Sequence, residues 1–174
     1  HGEFRELARL EIANGRLERI SHDTPWDITE ASLSHDDREV VALANVAGRR
    51  ELRRYSTATL APLPAPDLPV GSLAALRHHR VSGELALVVT HARSPGQVWS
   101  AEPGRSAQAW TQPSVPARLD TASFTEQQVV RWKSFDNLSI SGLLSEPPAD
   151  RFKGRRPVII NIHGGGFKLG DKSM

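Results

Sequence analysis

The run Pro157-Val158-Ile159-Ile160-Asn161-Ile162 leads directly into His163-Gly164-Gly165-Gly166-Phe167. A dense β-branched run of this kind reads as a strand buried on both faces of a parallel sheet. Three glycines after such a strand let the backbone turn sharply and aim successive N–H groups into one small space. Amides so arranged suit the oxyanion of an acyl-transfer intermediate, where losing one donor typically removes about 3 kcal/mol of transition-state stabilisation. A phosphate-cradling loop and a plain glycine turn are the competing readings. A P-loop carries Lys-Ser or Lys-Thr directly after its last glycine; Phe167 stands there instead, and Lys172-Ser173 comes too late. The spacing of a G-x-G-x-x-G fingerprint is absent.

Other reactive groups are few. There is no cysteine, which excludes disulfides, thiolate metal sites and a cysteine nucleophile. Outside the glycine loop the histidines are His1, His22, His35, His78, His79 and His91. They fall in expected turns and strands without a ligand spacing such as H-E-x-x-H, so neither a metal nor a cofactor is expected. No G-x-S-x-G occurs, and Ser173 is too close to the loop and lacks flanking glycines. An acyl-enzyme needs a nucleophile and a base, so this stretch is expected to be inactive by itself.

Lys and Arg total 22 against 20 Asp and Glu, a formal charge of +2. That balance argues against a nucleic-acid partner. No apolar run approaches the ~20 residues that span a bilayer, so no membrane partner is expected. Arg155-Arg156 and the cluster Arg49, Arg50, Arg53 and Arg54 read as solvated loop and strand-edge charges. The lack of cysteine and of a visible signal peptide favours a cytoplasmic location. The chain starts at His1 and stops at "FKLGDKSM" just past the loop. Both ends read as cut, making this a piece of a longer protein.

The elements that would position the loop begin with short strands. "FRELARLEI" and "RLERIS" flank Ala13-Asn14-Gly15, a hairpin signal. "EVVALANV" follows the polar turn His35-Asp36-Asp37, and Gly48 precedes the strand "ELRRYS". The same grammar returns in "ELALVVTHA", a break at Pro95-Gly96, and "QVWSAE", with Glu39–Leu43 and Glu84–Val88 in correspondence. A repeat of about 40–50 residues with four strands is the period of a β-propeller blade. An ordinary β-sandwich with two similar hairpins is the alternative. The Pro-rich stretch Leu60–Gly71 reads as a loop between the repeats, and Thr111–Phe124 as a domain crossing. "QVVRWKSF" and "LSISGLL" around Asp136-Asn137 then form a further hairpin ahead of the β-branched run.

From Val129 to Gly166, "VVRWKSFDNLSISGLLSEPPADRFKGRRPVIINIHGGG" resembles the approach to the catalytic domain of the prolyl oligopeptidase family, especially its acylaminoacyl-peptidase and dipeptidyl-peptidase-like branches. Asn137 stands where that family usually has Gly. Gly166 stands where this branch more often has Pro, which brings the loop nearer to the esterase and lipase form. The resemblance implies a mixed fold: partial β-propeller over 1–115, a linker over 116–127, and the truncated start of an α/β-hydrolase domain over 128–174. It further implies a serine hydrolase acting on a short peptide or acyl substrate. The N–H groups of Gly165 and Gly166 would be oxyanion donors, with Ser, Asp/Glu and His of the triad following beyond the loop. His163 would shape the loop without acting as base, and Phe167 would line the substrate entrance or cover the sheet.

Overall fold

The computed structural model describes residues 4–102 and 104–162. Among the described residues there are twelve β-strands, and the only helical element is a 3-10 turn at Thr121–Ser123. β1 (Ala8–Glu11) and β2 (Arg16–Arg19) form the first hairpin, with Gly15 at φ 72° in its turn. Two four-stranded antiparallel meanders follow. The first contains β3 (Ile28–Leu33), β4 (Glu39–Val46), β5 (Arg49–Ser56) and β6 (Pro62–Leu63). The second contains β7 (Ser72–His78), β8 (Leu85–His91), β9 (Ser94–Ala101) and β10 (Gln108–Ala109). β11 (Gln128–Lys133) and β12 (Ser139–Leu144) make a last hairpin, turned by Asn137 at φ 65°. An asparagine tolerates that left-handed angle, as the sequence requires.

The two meanders repeat strand for strand, and the way they pack distinguishes a propeller from a sandwich. Val41 and Leu43 of β4 are fully buried and join Leu73, Leu76, Leu85, Leu87 and Val89 of the second sheet in one core. At the repeat offset, the equivalents of Val41 and Leu43 are Ala86 and Val88, which point to the opposite side of β8 and are only half-buried. The sheets therefore meet through non-equivalent faces. The face that the first sheet turns to the second corresponds to the one that the second leaves half-buried, the arrangement by which blades stack radially. A sandwich made of two like sheets would bring equivalent faces together.

The other face of the first sheet is also covered. Ala42 and Ala44 are fully buried. The Asn45 N–H donates to the Asp27 carbonyl (2.9 Å), and the Tyr55 hydroxyl reaches Thr24 and Asp23. Burial on both faces suits the continuous apolar run of β4, whereas in β8, equally apolar over Leu85–Val89, buried and half-buried residues alternate.

Two boundaries differ from the sequence reading: β6 (Pro62–Leu63) pairs with Arg54 and Tyr55 inside the stretch Leu60–Gly71 read as a loop, and the second concerns β9. Pro95-Gly96 does not break the second meander; the turn is at Ala92-Arg93, and β9 already runs from Ser94. Pro95 is tolerated there because β10 pairs with β9 only at Trp99 and Ser100, leaving that stretch of β9 an edge without a ladder bond to lose.

Candidate functional site

His163, Gly164, Gly165, Gly166 and Phe167 lie outside the described residues. The approach to them is described, and it corrects one expectation. Pro157–Ile162 pairs with no strand. Val158 is 80% exposed and Ile159 92%. A parallel strand needs neighbours on both edges and cover on both faces. β11 and β12, the nearest strands in sequence, pair only with each other. The run thus presents apolar side chains that further sheet and helices would have to bury. The α/β part of the sequence expectation has no counterpart among the described residues.

The chain that carries this approach is fastened to one end of the blades. The Arg49 guanidinium, next to the β4–β5 turn, donates to the Gln127 carbonyl. Arg93, in the equivalent β8–β9 turn, donates through Nε to the Phe124 carbonyl at 2.9 Å, and His91 Nδ1 lies 3.4 Å from Glu126 Oε1. Leu143 of β12 lies against Gly48, where an added Cβ would come within 3.3 Å of its Cδ1. Equivalent turns of successive blades thus hold residues 124–127, and the hairpin that precedes the glycine loop begins there.

At the opposite end of the blades the structure gathers polar groups that the sequence did not single out. Register places Ser32, Glu39 and Arg54 on one face of the first sheet, level with Val41 and Leu43. His78, at the end of β7, faces them from the second sheet. The Arg54 guanidinium donates to Glu39 Oε2 and to the Pro64 carbonyl. Ser32 Oγ is 3.1 Å from His78 Nδ1, and His78 Nε2 is 3.8 Å from Glu39 Oε1. The side chains of His78 and Arg54 are 5% and 8% exposed. Arg54 is therefore not the solvated charge expected from its Arg-rich surroundings. Its position two residues after Leu52, on the same strand face, was the available signal.

Hydroxyl, imidazole and carboxylate here stand in the order of a hydrolytic triad, but the arrangement does not suit one. Arg54 engages the carboxylate, and the imidazole is enclosed between two sheets. The group is a polar seam between blades, reinforced by Arg77 donating to Glu30 (3.2 Å) and by the Arg50 N–H donating to Ser72 Oγ (3.2 Å).

No protein-family model and no curated protein matches the chain. Solved structures do match. Prolyl oligopeptidase B from Galerina marginata, bound to a 35mer hydrolysis and macrocyclization substrate, is similar at TM-score 0.61 and 16% identity, covering 78% of this chain and 20% of that one. Its apo form is similar at TM-score 0.57 and 17% identity, with 78% and 20% covered. A structure from a study of two prolyl endopeptidases gives TM-score 0.62 and 15% identity, again with 78% and 20% covered. The chain spans about a fifth of the length of these structures. The likeness is one of fold: the repeated antiparallel sheets match the propeller region of prolyl oligopeptidase.

Proposed function

We propose that this chain, with the blade architecture of prolyl oligopeptidase structures, belongs to a serine-type hydrolase that cleaves peptide or amino-acyl bonds through an acyl-enzyme. The observation that carries the reading is one of order. Two propeller-type blades are followed by a segment fastened to their turns, a hairpin, a β-branched run and His163-Gly164-Gly165-Gly166. A glycine loop in that place suits backbone N–H donation from Gly165 and Gly166 to the tetrahedral oxyanion. A serine beyond the loop would attack the acyl carbon. A histidine would take its proton and pass it to the leaving amine, and an Asp or Glu would orient that histidine. His163 would hold the loop's shape, and Phe167 would line the entrance for a short peptide or acyl group. The present chain, without a G-x-S-x-G, would be inactive alone.

Gly166 favours a second reading, a carboxylesterase of the same fold, because three glycines are the form of the loop seen in lipases and esterases. The test treats the longer protein that contains this chain with a fluorophosphonate probe, then assays a peptide anilide against a nitrophenyl ester. Labelling of one serine with faster anilide turnover supports the peptidase. Labelling with ester turnover alone selects the esterase. No labelling at all would leave a non-catalytic propeller module.

A further inference from the structure

We propose that the loop between β12 and Pro157 is a processing site, cleaved at the Lys153–Gly154 peptide bond by a protease selective for basic residues. The inference is independent of the proposed activity, because it rests on the geometry of the loop alone.

Both ends of the loop are pinned, and its apex is free. At the start, the Gln127 amide donates to Ser145 Oγ (3.2 Å) and the Thr125 hydroxyl donates to the Glu146 carbonyl. These bonds tie the loop to the segment that Arg49 and Arg93 hold against the blades. At the end, the Arg156 guanidinium donates to the Pro147 carbonyl (3.1 Å) and the Phe152 carbonyl (3.4 Å), and lies 3.8 Å from Glu146 Oε1. From Ala149 to Ile162 every residue is exposed. Lys153 and Arg155 make no hydrogen bond or ion pair with a described residue.

A protease takes its substrate as an extended strand held by main-chain hydrogen bonds, so it cuts where the main-chain groups are not already engaged. Within the loop that condition selects one bond. At Arg151–Phe152 both N–H groups donate to the Pro148 carbonyl, at 3.2 and 3.0 Å. Cutting Arg155–Arg156 requires release of the Arg156 contacts, and Arg156–Pro157 has no N–H beyond the bond. At Lys153–Gly154 neither residue has a main-chain bond to break. Gly154 stands at φ 84° and moves to an extended angle without the steric cost that a side chain brings. Exposed arginines elsewhere lie in closed turns. The Leu119 N–H, just past Arg118, donates to the Pro116 carbonyl (2.9 Å), and the turn containing Arg80 is closed by the Gly83 N–H on the His79 carbonyl (3.1 Å).

Hydrolysis adds water across the amide, leaving a carboxylate on Lys153 and a new amino group on Gly154. Both blades and the β11–β12 hairpin stay on one piece, and His163–Phe167 go with the other.

A lysine-selective endoprotease provides the test. Lys133 and Lys153 are the only lysines among the described residues, and Lys133 is held in the β11 ladder opposite Ser139. The longer protein that contains this chain is digested under native conditions, and the new amino termini are sequenced. Cleavage after Lys153 should outpace cleavage after Lys133 by about 10²-fold, because a ladder residue is cut only when its strand opens. A first cut after Lys133, or a Lys153–Gly154 bond that survives until the protein unfolds, overturns the proposal. Lys153→Gln should abolish the fast cut. Lys153→Arg should resist the lysine-selective enzyme yet yield the Gly154 terminus with trypsin; failure to yield it means that the loop is not presented as the geometry requires.

Discussion

The Tyr55 hydroxyl lies 3.0 Å from the Thr24 hydroxyl, joining β5 to the segment that precedes β3. The same phenol donates to Asp23 Oδ1 at 3.1 Å. Tyr55 is 1% exposed, and through these bonds residues before β3 cover the face of the first sheet that the second sheet does not reach.

Tyr55→Phe should therefore destabilise the chain by about 1–2 kcal/mol, the loss of buried hydrogen bonding with Thr24 and Asp23. The measurement is a denaturant melt. A midpoint equal to the parent's would mean that this face is held by apolar contact alone.

The same residue predicts alkaline behaviour. Burial, foremost, pushes the Tyr55 phenol above its ordinary value, and the Asp23 carboxylate adds to the effect. A raised value means that the folded state keeps the proton after the unfolded chain would release it, at about pH 10. The contribution is complete below that pH and is lost as pH rises through the folded value. Tyr55 is the only tyrosine in the sequence, so tyrosinate absorbance reads it alone. Phenolate should appear together with loss of tertiary structure. Ionisation at the ordinary value in an intact fold would contradict the burial argument.

Leu43→Ala should lose about 2–5 kcal/mol by opening a cavity in the core between the sheets. Leu10→Ala, at a position 57% exposed on β1, should change stability by less than about 0.5 kcal/mol. Chemical denaturation of both variants measures the contrast, and equal effects would show that the core is not where the structure places it.

Gly71 sits where the chain enters β7, and a Cβ there would come within 2.7 Å of the Thr90 carbonyl oxygen and 2.8 Å of Val89 Cγ1. Backbone cannot yield as a flexible side chain does. Gly71→Ala should cost about 1–3 kcal/mol, as overpacking does elsewhere, detectable as a lowered melting temperature. Gly83→Ala is a useful contrast. Nothing lies within 4 Å of its Cβ, but φ is +73°, so any penalty there is conformational.

In the longer protein, Gly166→Pro removes one main-chain N–H. If that amide binds the oxyanion, kcat should fall by about 10²–10³-fold while the fluorophosphonate probe still reaches the nucleophile. Unchanged turnover would shift the donor role to Gly165 and move the loop towards the form with proline in this place.

Much of the blade structure was legible beforehand. Asn14-Gly15 between alternating runs marked the first hairpin, Gly48 marked the β4–β5 turn, and the likeness of Glu39–Leu43 to Glu84–Val88 marked the repeat. The proposed site was legible only as a motif, since His163–Phe167 lie outside the described residues. The polar seam was invisible because Ser32, Glu39, Arg54 and His78 come from four strands, and none carries a spacing that would announce the others.

What the sequence determined by itself is local: the period-two alternation that makes strands, and the glycines and asparagines whose backbone freedom allows turns. These depend on residues within a few positions of each other. Only the tertiary structure decided which face each sheet turns to its neighbour, because Val41 and Leu87 share one core across a sheet boundary that no short window spans. It decided as well that Arg54 is enclosed and that Pro157–Ile162 forms no strand. Burial of a charge depends on what closes over it, and a strand exists only where a second strand completes its hydrogen bonds.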